Sequence, residues 1–207
     1  MKSIDTHGHL EQMQSFSAGI FGFAATLLIL NITIPPVLQP STRSIEALFH
    51  EWPKFVIFVV TFISIGQVWI SHRRMFACFR AADHWVLWLN VLLLLDVVSL
   101  PFFTGLLGAW ARDPALGVIA AVGYGLAWAV GGIIYNAIWW YGLRNAAQLM
   151  RDDVSPSARR RLSLRWAVGP VFYSICALLA LFSFKVAAAG FMVIQIFYII
   201  PHRDLDA

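Results

Sequence analysis

Apolar residues run along this chain in six long stretches that are separated by short polar segments. The stretches cover about 14–38, 53–71, 84–108, 115–140, 165–184 and 186–201. About 20 apolar residues suffice to cross a bilayer as an α-helix, so the pattern predicts six transmembrane helices, of which the last is short. We expect residues 1–207 to form a single all-α, polytopic membrane domain.

The composition of the chain fits this interpretation and excludes several classes of protein. Hydrophobic residues make up 59% of the 207 residues and charged residues only 13%. Cys78 and Cys176 lie in different segments without metal-ligand spacing, so we expect no metal site and no disulfide. The sequence holds neither H-E-x-x-H nor G-x-S-x-G, which argues against an enzyme, and nothing in it indicates a cofactor.

The basic residues are distributed unequally between the two sides of the predicted membrane. Their position in loops is typical of membrane topology and does not indicate nucleic-acid binding. One side carries 11 of them: Lys2, Arg73, Arg74, Arg80, Arg144, Arg151, Arg159, Arg160, Arg161, Arg165 and Arg203. The other side carries 4: Arg43, Lys54, Arg112 and Lys185. Because positively charged loops remain in the cytoplasm, the asymmetry predicts that both termini are cytoplasmic.

The first stretch has no charge over residues 16–38 but contains polar side chains that a simple anchor does not need. At 3.6 residues per turn its large apolar side chains form one stripe: Phe16, Ile20, Phe23, Leu27, Leu30 and Ile34. A neighbouring strip of small and hydroxyl residues, Gly19, Gly22 and Thr26, allows close helix contact. By itself the pattern is more typical of a packed core. The alternative is a pore lined by several copies of this helix, in which the stripe forms a hydrophobic constriction.

Asp96 lies about midway along the third stretch, where an ionised carboxylate is costly. It is a possible intramembrane acid that attracts cations or couples transport to protons. Alternatively, it is a buried side chain that hydrogen-bonds to Asn90 or Ser99. The first alternative supports a second function for the chain, a proton- or ion-coupled secondary transporter, although neither an interrupted helix nor related halves are evident.

Three segments in the first half of the chain share the motifs of a known family. They read F-S-A-G-I-F at 16–21, W-I-S-H-R-R-M-F at 69–76 and N-V-L-L-L-L at 90–95, followed by S-L-P-F at 99–102. They resemble the transmembrane protein 175 family, the lysosomal potassium channels and their prokaryotic relatives. The resemblance implies a six-helix subunit with a single repeat, as in prokaryotic cell membranes, that assembles with itself into a homotetramer around a central pore for potassium and other monovalent cations.

The resemblance also assigns roles to residues. It implies that Phe23, Thr26, Leu27 and Leu30 form the pore constriction and set its selectivity. In such a pore, Ile20 and Ile34 of the stripe and the neighbouring Asn31 are expected to line the path or support the gate, and Asn31 is also expected to form a bond between helices. Ser17, Trp69 and His72, which belong to the shared motifs, are expected to position the helices. His72 is expected to hold the first helix against the second, although a pH-sensitive contact is an alternative because histidine titrates near neutrality.

The sequence departs from the family pattern at two positions. The motif R-x-x-x-F-S-D has Gln12 and Ala18 in place of its Arg and Asp. At Phe23 the family usually carries an aliphatic residue. The chain has no T-V-G-Y-G segment, so a selectivity filter made of backbone carbonyls is not expected, and we predict weak discrimination among monovalent cations.

Overall fold

The computed structural model describes residues 6–32 and 51–199, which are almost entirely helical. A 3-10 turn, Leu28–Asn31, continues the first helix, and a one-turn helix, Ala146–Leu149, follows the fourth. The six main helices of this part of the chain are α1 (Thr6–Leu27), α2 (Trp52–Ala77), α3 (His84–Trp110), α4 (Pro114–Arg144), α5 (Pro156–Ala180) and α6 (Phe184–Ile199). The prediction of an all-α fold is therefore confirmed.

Side-chain caps fix the first residues of three helices. Asp83 accepts a hydrogen bond from the backbone N–H of Val86 at 2.9 Å and so starts α3. At the start of α4, Asp113 accepts hydrogen bonds from two backbone N–H groups at 2.9 and 2.8 Å, and Pro114 occupies the first helical position. Ser155 accepts from the backbone N–H of the third residue of α5 at 3.2 Å. These caps satisfy donors that a helix cannot pair internally.

The predicted spans agree best with the helices at three starts, of which those of α3 and α4 have a side-chain cap. The starts of α2, α3 and α4 lie within one residue of the predicted positions 53, 84 and 115. In contrast, α5 begins at Pro156 and not near 165. Its first turns carry Arg159, Arg160 and Arg161, which end the apolar stretch of the sequence although the helix extends past them to Pro156.

The apolar lengths of the helices identify a multi-pass membrane protein. Five of the described helices are long and apolar enough to span a bilayer, and α6 is shorter, at 16 residues. The α-helical part of the first span ends at Leu27, earlier than the predicted position 38. The last residues of that predicted span, 33–38, and residues 200–201 of the sixth lie outside the described residues.

The helix α4 lies at the centre of the fold, between α3 and α5. Small residues allow this close packing. A Cβ atom on Gly132 would lie 2.9 Å from Cδ of Pro170 in α5, and one on Gly125 would lie 2.9 Å from Cβ of Ala177. In lipid, such close approach replaces the hydrophobic driving force between helices. Gly125 and Gly132 of α4 are thus packing residues.

The loop after α2 is fixed to the segment that follows α4. Phe79 and Met150 form an antiparallel bridge, in which the backbone N–H of Arg80 donates to the carbonyl of Leu149 at 2.8 Å. The guanidinium of Arg80 donates to the carbonyls of Ala147 and Gln148. These contacts hold the adjoining ends of α2, α3 and α4 together, and α1 packs against two of those helices.

Candidate functional site: the first helix and its supports

The first helix has one buried face and one face that the rest of the subunit leaves uncovered. The uncovered face, as we call it below, consists of Phe16, Gly19, Gly22, Phe23, Thr26 and Leu30. Phe23 is 58% exposed and Leu30 is 70% exposed. A Cβ atom added at Gly19 or Gly22 would meet nothing within 4 Å. This face is therefore free to contact other molecules.

The opposite face of α1 packs against α2 and α3. Its most deeply buried residues are Ser17, Phe21 and Ala24, together with Leu28 of the following 3-10 turn, and all four are at most 2% exposed. The ring of Phe21 lies edge-on to the imidazole of His72, with ring centroids 5.3 Å apart. Three of these residues belong to the main apolar core of the subunit. The buried face thus fixes the rotation of α1 and, with it, the direction of the uncovered face.

A buried chain of hydrogen bonds connects α1, α2 and α3. His72 of α2 lies 2.8 Å from Oδ1 of Asn90 in α3. Nδ2 of Asn90 donates to Oγ of Ser17 at 3.0 Å, and Oγ of Ser17 donates to the carbonyl of Met13 at 2.7 Å. Since Oδ1 of Asn90 can only accept, His72 must donate from Nε2, which specifies the tautomer of the ring. Nε2 of His72, Nδ2 of Asn90 and Oγ of Ser17 each donate to an acceptor, which stabilises the arrangement inside an apolar region.

Thr26 presents its hydroxyl oxygen on the uncovered face. Its Oγ1 donates to the carbonyl of Phe23 at 2.8 Å, within the same helix. Because the hydroxyl proton is used in that bond, what remains available at this level of the face is the lone-pair side of the oxygen. An oxygen presented in this way can interact with a cation and cannot donate to an anion.

The turn that ends α1 is attached to α3. Nδ2 of Asn31 donates to the carbonyl of Pro101 at 2.8 Å. A Cβ atom on Gly105 would lie 2.7 Å from Oδ1 of Asn31, so the absence of a side chain at that position makes room for the amide. Asn31 is half-buried against α3 and is not on the uncovered face.

The structure separates the residues of the predicted stripe. Phe16, Phe23 and Leu30 lie on the uncovered face, whereas Ile20 and Leu27 are half-buried at its edge. Ile34 lies outside the described residues. The centre of the uncovered face is therefore displaced from the large apolar side chains toward the strip of Gly19, Gly22 and Thr26.

The two positions that depart from the family motif are also exposed. Gln12 and Ala18 are both solvent-accessible in the subunit, whereas Ser17, between them, is buried. Trp69 is half-buried against the core, and the guanidinium of Arg73 lies 5.3 Å from its ring centroid. This cation–π contact sits at the end of α2 that carries His72.

Asp96 is not part of the first-helix arrangement. It lines a cavity among α2 to α6. Neither of the partners considered for its carboxylate reaches it: Asn90 bonds to His72 and Ser17, and the Ser99 hydroxyl donates to the backbone carbonyl of Asp96 at 2.6 Å. The expectation of a hydrogen bond from either side chain to the carboxylate was therefore wrong, because both turn toward other acceptors.

Asn90 is the supporting residue whose role the sequence did not reveal. It is 1% exposed and bridges the two residues expected to position the helices, Ser17 and His72. A signal was present in the chain. His72 lies five residues before the end of α2, and Asn90 lies six residues after the start of α3. In consecutive antiparallel helices, those positions have nearly the same depth.

Comparisons with known proteins find relatives along nearly the whole chain. The family model described as "Endosomal/lysosomal potassium channel TMEM175" matches residues 12–101. A potassium channel of Streptomyces collinus is 30% identical over 187 residues, which cover 90% of each chain. A potassium channel of Chamaesiphon minutus is 28% identical over 188 residues, covering 90% of this chain and 92% of the other.

A solved structure has the same fold. It is the crystal structure of a lysosomal potassium-selective channel TMEM175 homolog from Chamaesiphon minutus. The two chains superpose with a TM-score of 0.80 at 24% identity, over 93% of this chain and 97% of the other. This agreement includes the half of the chain, after residue 101, that lies beyond the family match.

Proposed function

Because the chain belongs to the TMEM175 family of potassium channels, as a single-repeat member of the prokaryotic type, we propose that it forms a weakly selective, potassium-permeable cation channel. In this proposal four subunits assemble around an axis, and the uncovered face of α1 lines the pore. The family is one of ion channels and not of enzymes, which also favours a channel over the coupled transporter based on Asp96.

The observation that carries the proposal is the composition of the uncovered face. Between residues 88 and 102, every exposed residue of α3 is a large apolar one: Trp88, Val91, Leu92, Leu95, Val98 and Phe102. Such a surface suits acyl chains. The uncovered face of α1 instead interrupts its large side chains with Gly19, Gly22 and the hydroxyl of Thr26. Small residues at this spacing favour contact between helices, and a polar group at membrane depth favours water or protein over lipid.

The proposed constriction combines apolar rings with one ring of hydroxyl oxygens. The four copies of Phe23 would surround the path at one level and the four copies of Leu30 at another, and these bulky side chains would narrow the path and exclude water. Thr26 lies between these two levels. Leu27 and Ile20, at the edge of the face, would pack between neighbouring copies of α1. Since Thr26 offers an acceptor and not a donor, the constriction would favour cations over anions but would discriminate weakly between potassium and sodium.

Two further residues would support this pore. Asn31 would hold the outer end of α1 through its bond to Pro101, and Ile34 would continue the lining beyond the constriction. The excess of basic residues on one side supports an orientation in the cell membrane with both termini in the cytoplasm.

The test is potassium flux through purified protein in liposomes. Replacing Phe23 with Ala should raise the flux severalfold, because four large rings leave the narrowest part of the path. Phe102→Ala is the matched control: Phe102 is 63% exposed in the subunit, close to the 58% of Phe23, but lies on α3. An equal change in both variants, or none in Phe23→Ala, would overturn the assignment of α1 as the pore helix. Native mass spectrometry of the same preparation should show four copies of the chain.

A further inference from the structure

A cavity distinct from the one beside Asp96 lies between α2 and α6. Its volume is about 160 Å³. Trp52, Val56 and Val60 of α2 form one wall, and Ala188 and Met192 of α6 belong to another, while α3 and α4 close the inner side. None of the described residues of α1 lines this cavity. It is therefore separate from the proposed pore lining.

The cavity occupies only the first halves of these two helices. In their second halves α2 and α6 are connected, because Nε2 of Gln67 donates to the backbone carbonyl of Gln195 at 3.2 Å. The wall formed by α2 extends over the eight residues from Trp52 to Val60, which corresponds to about 12 Å of helix. Trp52 and Met192 are 61% and 45% exposed, whereas Phe191 at the inner side is 3% exposed. The cavity is thus open toward the membrane and closed toward the core of the subunit.

The side chains that line the cavity are suited to an apolar ligand. Apart from the indole of the exposed Trp52, the polar side chain among them is that of Tyr124, and its hydroxyl is already hydrogen-bonded to the hydroxyl of Thr61 at 3.0 Å. An apolar cavity of about 150 Å³ inside a protein stays dry and binds apolar molecules such as benzene. Water is therefore a poor occupant here. In a bilayer, the hydrocarbon next to such an opening belongs to lipid acyl chains.

The charges around the cavity indicate the kind of lipid. Three of its lining residues are each followed directly in the chain by a basic residue, and these are all the basic residues that the described part of the chain carries at this end of the bundle: Lys54, Arg112 and Lys185. Glu51, which pairs with Lys54 at 2.6 Å, and Asp113 are the described acidic residues there, so an excess of positive charge remains. Lys185 is exposed. Such a rim attracts anionic headgroups.

We propose that the cavity between α2 and α6 binds one acyl chain of an anionic phospholipid, with the phosphate of that lipid beside Lys185. The apolar walls hold the chain, and the basic residues favour an anionic headgroup over a zwitterionic one. The inference does not depend on the proposed pore, because the whole site lies within one subunit and apart from the uncovered face of α1.

Photo-crosslinking of the full chain in lipid nanodiscs tests this site. The probes are phosphatidylglycerol and phosphatidylcholine that carry the same diazirine in one acyl chain, and mass spectrometry of the digested protein locates the adducts. Adducts of the phosphatidylglycerol probe should concentrate on Val56 and Met192. They should exceed severalfold the adducts on Leu95 of α3, which is 67% exposed and reports contact with bulk lipid.

Two pairs of variants separate the acyl chain from the headgroup. Ala188→Phe fills the cavity and should lower the adducts on Val56 and Met192 severalfold. Ala189→Phe is its matched control, because Ala189 is the next residue but is exposed and does not line the cavity. Lys185→Ala should lower the preference for phosphatidylglycerol about fivefold, since a basic residue near an anionic membrane surface contributes about 1 kcal/mol. Arg160→Ala, an exposed residue at the opposite end of the bundle, should leave that preference unchanged.

Other occupants of the cavity would give different results. If residues 33–50 or a second copy of the chain filled it, the adducts on Val56 and Met192 would not exceed those on Leu95, and the proposal would be overturned. Equal losses in Ala188→Phe and Ala189→Phe would place the acyl chain outside the cavity and would overturn it as well.

The headgroup is tested independently of the filled cavity, even where Ala188→Phe does not fold. Equal labelling of the unmodified protein by the two probes, or equal effects of Lys185→Ala and Arg160→Ala, would show that no anionic headgroup is recognised and would overturn the proposal. Concentrated adducts on Val56 and Met192, with a preference for phosphatidylglycerol that depends on Lys185, would support it.

Discussion

Replacing Asn90 with Ala should destabilise the subunit and loosen α1, because one side chain connects three helices. The substitution removes the bond from His72 at 2.8 Å and the bond to Ser17 at 3.0 Å. Ser17 keeps its own bond to the carbonyl of Met13, so its proton remains paired. His72, which is 2% exposed, would lose the acceptor of its Nε2–H group.

The size of the effect follows from the number of bonds lost. Side-chain hydrogen bonds between membrane helices contribute about 0.6 kcal/mol on average and up to about 1.7 kcal/mol. Two such bonds give about 1 to 3 kcal/mol. The unpaired donor of His72 places the expected value in the upper part of this range, because a buried polar group without a partner costs about 1–3 kcal/mol by itself.

The assay is reversible unfolding in mixed micelles, in which the free energy of unfolding is measured against the mole fraction of denaturing detergent. Asn145→Ala is a matched control. The side chain of Asn145 donates to the carbonyl of Tyr141, four residues earlier in the chain, and to no other helix in the described part of the chain. Its loss should therefore change the free energy by less than about 0.5 kcal/mol. Equal effects of Asn90→Ala and Asn145→Ala would refute the claim that the Asn90 bridge stabilises the packing of α1.

Two other substitutions test separate parts of the structure. Thr26→Val keeps the approximate shape of the side chain but removes the hydroxyl oxygen, so it should lower the permeability ratio of potassium to chloride, measured from reversal potentials in planar bilayers; an unchanged ratio would mean that Thr26 does not face the ions. Gly142→Ala should lower the free energy of unfolding by about 1–3 kcal/mol, as overpacking typically does. A Cβ atom there would lie 2.8 Å from Cε1 of Phe79 and 3.2 Å from Sδ of Met150. An unchanged unfolding curve would show that these two side chains can move to make room for a methyl group at little cost.

The sequence predicted the helices well where hydrophobicity and capping give the same boundary. At α3 and α4, Asp83 and Asp113 stand directly before apolar runs, and both starts were predicted to within one residue. At α5 the two signals disagree. Hydropathy falls at Arg159–Arg161, whereas the cap at Ser155 starts the helix earlier. Charged residues limit the part of a helix that lies in the membrane, whereas hydrogen bonding determines the first and last residues of the helix itself.

The candidate site was only partly predictable, for a different reason. Periodicity identified a stripe of large residues on the first helix, but it could not determine which neighbouring strip the subunit covers. That depends on the depth and rotation of α1 against α2 and α3. For the same reason, the sequence did not predict the role of Asn90, and the hydrogen-bond partners considered for Asp96 were wrong. The partners of buried polar groups depend on tertiary contacts between distant segments.

The departures at Gln12 and Ala18 can be understood from the way in which α1 is held. Both positions are exposed on the subunit, so neither takes part in the packing of α1 against α2 and α3. That packing rests on the buried side, where the hydrogen-bond chain from His72 ends at the carbonyl of Met13. The packing of α1 within the subunit therefore does not use the side chains at these two positions. In the proposed channel, the loss of the family's Arg and Asp would act where copies of α1 meet, through the contacts and charges of the pore.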